Sequence, residues 1–143
     1  MDETMTLTEF MAGNAITVEP VDYVASKRFV KNGKPIPWKL QAISNDRIDA
    51  LTKRYTKYVP IKGTRETKKE FDSLGYMEAL ALETIVYPNL DDAELQASYN
   101  AIGALELVKT MLTPGEWYDL QMACSEANGY QSGMEDKIKT AKN

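Results

Sequence analysis

An α+β fold is predicted, with an N-terminal β-hairpin followed by a mainly helical C-terminal bundle. Three observations lead there. Residues 21–43 alternate apolar and polar side chains on either side of Asn32-Gly33, the pattern of strand, tight turn and strand. Residues 72–87 are apolar around almost the whole helical circumference, as in a helix central to its domain. The remaining chain carries repeated helix-start signals, of which Thr113-Pro114-Gly115-Glu116 is the fullest. A length of 143 residues suits one domain over 1–143 with a sizeable core.

In chain order, residues 1–20 are polar and mixed, and read as flexible chain or a short helix. Thr6-Leu7-Thr8-Glu9 begins like a capping box, with Leu7, Phe10 and Met11 as an apolar stripe. In the hairpin, Val21, Tyr23, Ala25 and Phe29 form the apolar set of the first strand. Ile36, Trp38, Leu40 and Ala42 form that of the second. Pro35 and Pro37 cannot donate to a ladder, so the second strand starts at an edge or beside a loop.

The segment 44–143 is predicted to be helical. Ser44 or Asn45 caps a helix over 45–57 with Ile48, Leu51 and Tyr55 on its inner face and Arg47, Lys53, Arg54 and Lys57 outside. Val59–Glu70 loses periodicity and reads as a mobile loop or extended arm. Asp72 caps the central helix and Pro88 stops it. Asp91 opens a shorter helix bearing Leu95 and Tyr99, and 104–112 brings Leu105, Val108, Met111 and Leu112 to helical spacing. The helix after Thr113 carries Trp117, Leu120 and Cys124 and ends at Asn128-Gly129, and Ser132–Glu135 starts a last short helix.

Composition narrows the chemistry. There is no His and one Cys. A Ser-His-Asp triad, a Cys-His dyad, a His-containing zinc site and an intrachain disulfide are therefore excluded. Neither GxGxxG nor a P-loop occurs. Asp91/Asp92 and Glu135/Asp136 sit at helix starts, where acids complement the helix dipole. Cys124 on an apolar helix face acts as a small hydrophobe, and Trp38 and Trp117 read as core. Glu83 lies among Leu80, Leu82, Ile85 and Val86, so it needs a cation from the basic half as partner. No catalytic, metal or cofactor site is expected. The acidic start lacks the apolar region of a secretory signal, and no run of about 18 apolar residues occurs, which points to a cytoplasmic protein without a membrane span.

Charge is divided along the chain. The net charge is −4, but residues 1–71 hold 13 Lys+Arg against 9 acids, and residues 72–143 hold 4 against 12. The halves either neutralise each other or present faces of opposite sign. Residues 53–69 mix Tyr55 and Tyr58 with Lys and Arg, as single-strand nucleic-acid binders do. Against that, the sequence pI is about 4.9 and no nucleic-acid-binding motif is present.

Several strings together resemble the XkdN-like tail assembly chaperones of contractile-tailed bacteriophages and phage-like prophages. They are Ser26-Lys27-Arg28-Phe29, Pro37-Trp38-Lys39, Ala42-Ile43, Arg47-Ile48-Asp49 and Glu83-Thr84-Ile85-Val86-Tyr87-Pro88-Asn89-Leu90. Then follow Glu94-Leu95-Gln96, Ser98-Tyr99, Gly115-Glu116, Asn128-Gly129-Tyr130 and Ala141-Lys142-Asn143. The resemblance implies a non-enzymatic protein of the host cytoplasm, absent from the mature virion. Its implied partner is the long, helical, aggregation-prone tape measure protein, with tail tube subunits and further copies of the chain as additional candidates. A holdase needs exposed apolar surface and charge matched to its client. Tyr87, Leu90, Tyr99, Trp117, Tyr118 and Tyr130 are the candidate apolar contacts, with core packing as the alternative role of the aromatics. Lys62, Arg65, Lys68 and Lys69 are the candidate charged contacts. A structural or nucleic-acid-binding phage accessory protein is the second reading.

Overall fold

The computed structural model describes residues 5–130 and residue 141; the short helix expected from Ser132 lies outside them. The fold is α+β. Strands β1 (Val21–Tyr23), β4 (Trp38–Leu40) and β7 (Ile85–Tyr87) form an antiparallel sheet in the order β1-β4-β7. In β4, Trp38 and Leu40 are buried and Lys39 is exposed, as alternation requires of a strand with one face on the core. Lys39 Nζ donates to Asp22 across the β1 pair at 2.9 Å.

The predicted hairpin is present but interrupted. Its tip is a second ladder, β2 (Val30–Lys31) with β3 (Lys34–Pro35). Asn32 and Gly33 take φ of +53° and +78° between them, as a two-residue hairpin turn of the primed type requires. Between β1 and β2 the alternation fails, because the adjacent residues Ala25 and Ser26 are both buried. Ser26 Oγ accepts from the Arg28 backbone N–H at 3.2 Å, turning the chain out of the ladder.

Helix α1 (Asn45–Arg54) is capped by Ser44, whose side chain accepts from Arg47 N–H, and it buries Leu51. It ends earlier than the pattern to 57 suggested. Thr56–Pro60 instead forms β5, which pairs in continuous register with β6 (Thr67–Phe71). Of the two readings of Val59–Glu70, the extended arm holds, as a paired hairpin in place of a mobile loop, and the expectation of helix as the only structure beyond 44 is corrected. The turn is closed by Ile61 N–H to Glu66 C=O at 3.0 Å and by Gly63 at φ +83°, a value costly for residues with a Cβ.

Helix α2 (Ser73–Thr84) starts at Asp72, which accepts from Gly75 N–H at 3.0 Å. It stops three residues before the expected Tyr87, because Ile85–Tyr87 becomes β7. Two β-formers precede Tyr87, and a residue before proline is disfavoured in the helical region; the free edge of β4 supplies the ladder. Helix α3 (Ala93–Ser98) is capped by Asp92 rather than Asp91. Helices α4 (Ala104–Met111) and α5 (Pro114–Ala127) follow, and α5 shows the full reciprocal Thr113/Glu116 capping box.

The core lies between the sheet and helices α2, α4 and α5. Leu40, Leu80, Leu107, Val108 and Leu120 are almost wholly inaccessible. Burial pushes the Cys124 thiol up to about 12, so it stays protonated and behaves as packing. Asn128 ties three segments together. Its Nδ2 donates to Thr84 Oγ1 at 2.9 Å and to Cys124 C=O at 2.8 Å, and its Oδ1 accepts from Ile43 N–H at 2.9 Å. Glu83 finds the cation expected of it: Arg47 Nε donates to its Oε1 at 2.8 Å.

Residues 5–20 keep their apolar side chains outside. Among them Thr8–Phe10 forms a 3-10 turn. Thr6 Oγ1 donates to the Glu9 carboxylate at 2.8 Å, in place of the expected capping box.

Candidate partner-binding surfaces

Two surfaces stand out, one apolar and one basic. The apolar one is a hollow of about 130 Å³ where the first hairpin, β7, α3 and α4 meet. Phe29, Ile36 and Trp38 come from the hairpin, Tyr87 and Pro88 from the end of β7, and Leu95 and Met111 from the helices. Tyr87 is half exposed, so the hollow opens to solvent. Arg28 forms a polar rim beside it. Its guanidinium stands over the Phe29 ring at 5.4 Å, donates to the Met111 carbonyl, and lies 3.5 Å from Glu116 Oε1. The Thr113 backbone N–H, followed by the Ser26 hydroxyl and with Arg28 last, holds the Glu116 carboxyl below its ordinary value. A hollow of this size and lining accepts one apolar side chain of a partner, with a charged rim to orient it.

The basic surface is the β5–β6 hairpin. Lys62, Arg65, Lys68 and Lys69 are all exposed on it. Tyr58 stands opposite Lys69 in the register and is 66% exposed. Among the described residues, Lys68 alone of the four has a carboxylate within ion-pair distance, Glu70 at 3.6 Å. The face bearing Tyr58 and Lys69 turns toward Asp49, Thr52 and Lys53 of α1, enclosing a shallow space of about 320 Å³. Phe71 anchors the base of the hairpin against Tyr76, with ring centroids 5.3 Å apart.

The candidate contact residues thus separate. Lys62, Arg65, Lys68 and Lys69 come together on one arm. Tyr87 stands at the apolar hollow. Tyr118 and Tyr130 are exposed at 61% and 56%, and burial together with the neighbouring Tyr130 hydroxyl pushes the Tyr76 phenol up. Tyr99 is half-buried against the core. Leu90 and Trp117 are buried at 5% and 7% exposure: both pack the core, which agrees with the core reading of Trp117 and corrects the candidate contact role of each. Sequence reasoning missed Phe29, Ile36 and Met111 as neighbours of Tyr87, because four segments distant in sequence build the hollow. Among the described residues no cluster of three or more His, Cys, Asp or Glu could hold a metal ion, and no helix is long and apolar enough to cross a membrane.

The chain belongs to the phage XkdN-like tail assembly chaperone family, whose model matches residues 7–142. Its relatives include two proteins of Bacillus subtilis (strain 168). One is the uncharacterized protein YqbN, 39% identical over 139 residues, covering 96% of this chain and 93% of that protein. The other is the phage-like element PBSX protein XkdN, 34% identical over 139 residues with the same coverage. The crystal structure of the protein YqbN matches this fold with a TM-score of 0.74 at 33% identity, covering 90% of this chain and all of that one.

Proposed function

We propose that this tail assembly chaperone holds the tape measure protein of its phage in the host cytoplasm until tail tube subunits replace it. It acts by binding, without catalysis, and leaves before the virion matures. The observation that carries this reading is the family match over residues 7–142. The exposed surfaces support it. A long helical client with apolar stripes needs apolar contacts that release, and charge pairing that stays moderate. The hollow at Tyr87 supplies the first kind of contact and the β5–β6 arm the second.

Co-expression with the tape measure protein of the same phage tests the reading. The client is expected to stay soluble and to copurify with several copies of the chain. A client that aggregates regardless would sink it. The second reading, nucleic-acid binding, draws on the gathering of four cations and Tyr58 on one arm. Tight binding of mixed-sequence DNA or RNA at about 0.15 M salt, with no effect on the client, would favour that reading, since few neutralised phosphates give only weak affinity there.

A further inference from the structure

Two parts of the chain carry opposite charge and apolar surface without a partner. Residues 1–20 hold four acids and no Lys or Arg, whereas residues 23–39 hold five Lys and Arg and no acid. In the first part Leu7, Phe10 and Met11 are exposed around the 3-10 turn, and Phe10, directly after Glu9, is 80% exposed. In the second part lies the hollow at Tyr87, whose 130 Å³ take one such side chain.

The register of the first hairpin sets two cations beside that hollow. Ile36 N–H donates to Phe29 C=O at 2.8 Å, so these two lining residues stand opposite each other. Two residues further along each strand Lys31 stands opposite Lys34, on the same face by strand alternation and about 7 Å away. Like charges directly opposite each other in an antiparallel pair are destabilising. Arg28 and Lys39 have Glu116 and Asp22 as partners, but among the described residues neither Lys31 nor Lys34 has an ion pair. A carboxylate arriving between them removes the repulsion. The hollow therefore suits an apolar side chain with an acid next to it, and Glu9-Phe10 is such a pair.

Within one chain the two parts stay apart. Gln41 Nε2 donates to Val18 C=O at 3.2 Å, which holds the segment at the end of β4 remote from Trp38 and the hollow. We propose that residues 5–18 of one copy dock on a second copy, with Phe10 in the hollow and Glu9 between Lys31 and Lys34. The contact covers apolar surface on both copies that otherwise faces water. It uses the hollow that the client-holding role gives to the tape measure protein. On that role, the docked segment guards the hollow until the client displaces it; the displacement rests on that reading, the docking does not.

Sedimentation of the full chain over a dilution series tests the docking with no client present. The wild type should associate, and its mass should fall toward one chain on dilution and at higher salt. Phe10→Ser, at an exposed position, should weaken association at least about tenfold. Tyr87→Ser removes one wall of the hollow and should do the same. Thermal melts check its folding, and Leu95→Ala replaces it if it does not fold. Charge reversal identifies the contact. Glu9→Lys alone, and Lys31→Glu with Lys34→Glu alone, should each associate at least about tenfold more weakly than the wild type. A mixture of the two should associate again, because each then meets the opposite charge on the other chain. A wild type that stays a single chain at every concentration overturns the proposal. So does association that Phe10→Ser leaves unchanged, or a mixture that associates no better than its components. Added tape measure protein should lower the associated fraction; an unchanged fraction beside a solubilised client overturns the guarding of the hollow. A wild type that associates as expected but never solubilises the tape measure protein upholds the docking and defeats the client-holding role.

Discussion

The first hairpin, residues 21–43, has short and broken strands, while the second, residues 56–71, has five-residue strands in unbroken register. By ladder regularity the second is the better hairpin. Burial reverses the order. Trp38 and Leu40 of the first are 2% and 1% exposed, whereas neither strand of the second has a fully buried residue. The first gains β7 as a third strand and faces the core; the second touches mainly itself and α1. A two-stranded ribbon without a covered face is marginal alone, and this one leaves most of its side chains exposed. Regular hydrogen bonding and integration into the fold are therefore separate properties, and the chain assigns them to different hairpins.

The largest test of that contrast is a matched pair of truncations. Leu40→Ala should cost about 2–5 kcal/mol, the transfer and cavity penalty of a fully buried leucine. Val59→Ala in the second hairpin should cost less than about 1 kcal/mol, since its side chain is only partly covered. Urea denaturation of both variants gives the two values. Similar costs would remove the distinction.

The same contrast explains what was legible in the sequence. Local chemistry could be read directly. Asn32-Gly33 marked a turn because both residues tolerate positive φ, and both adopt it. Asp72 and Thr113–Glu116 marked helix starts because their side chains satisfy free N–H groups, and both do. Glu83 called for a cation because a carboxylate among apolar residues needs one, and Arg47 supplies it. Long-range pairing could not be read. Ile85–Tyr87 continues an apolar run that suits either helix or strand, and only the edge of β4 decides. The β5–β6 strands lack an apolar face, so no period marked them; Gly63 between a run with Thr56, Tyr58 and Val59 and a run with Thr67 and Phe71 was the available signal. For the candidate surfaces, the four cations were found together because they are adjacent in sequence. Trp117 read as core and is core, while its candidate contact role and that of Leu90 fall, because an aromatic or leucine at helical spacing reads alike whether it faces a partner or the core.

A pH series sharpens the first half of the comparison. Glu116 links the first hairpin to α5 through Ser26 and Arg28. Its folded carboxyl titrates below the ordinary 4.5, so the folded state favours the charged form. The associated stability is present above the unfolded value and is lost as pH falls through the folded one. Wild-type melting temperature should therefore fall more steeply below about pH 4.5 than that of Glu116→Gln, which has no proton to take up there. Parallel acid limbs would show that the contact adds no preference for the carboxylate. Other acids, including Glu9, are common to both proteins and cancel in the difference.

The smallest expected effect completes the contrast from the other side. Lys62, Arg65 and Lys69 project into solvent from the second hairpin with no ion pair to a described residue. Replacing each with Gln should change stability by no more than about 0.5 kcal/mol, the usual range for surface positions free of special contacts. Hydrogen exchange should then separate the hairpins within one molecule. Amides of β4 are flanked by strands on both sides over a buried face, so they should exchange only through large-scale opening. Amides of β5 and β6 should exchange faster, by local opening, because separating those strands exposes little apolar surface. The triple variant should leave that ranking intact, since the ladder is made by backbone groups and its weakness comes from the uncovered faces. If the Gln variant instead slowed exchange in β5 and β6, repulsion among the cations would be what loosens the arm, and its openness would be a matter of charge rather than of burial.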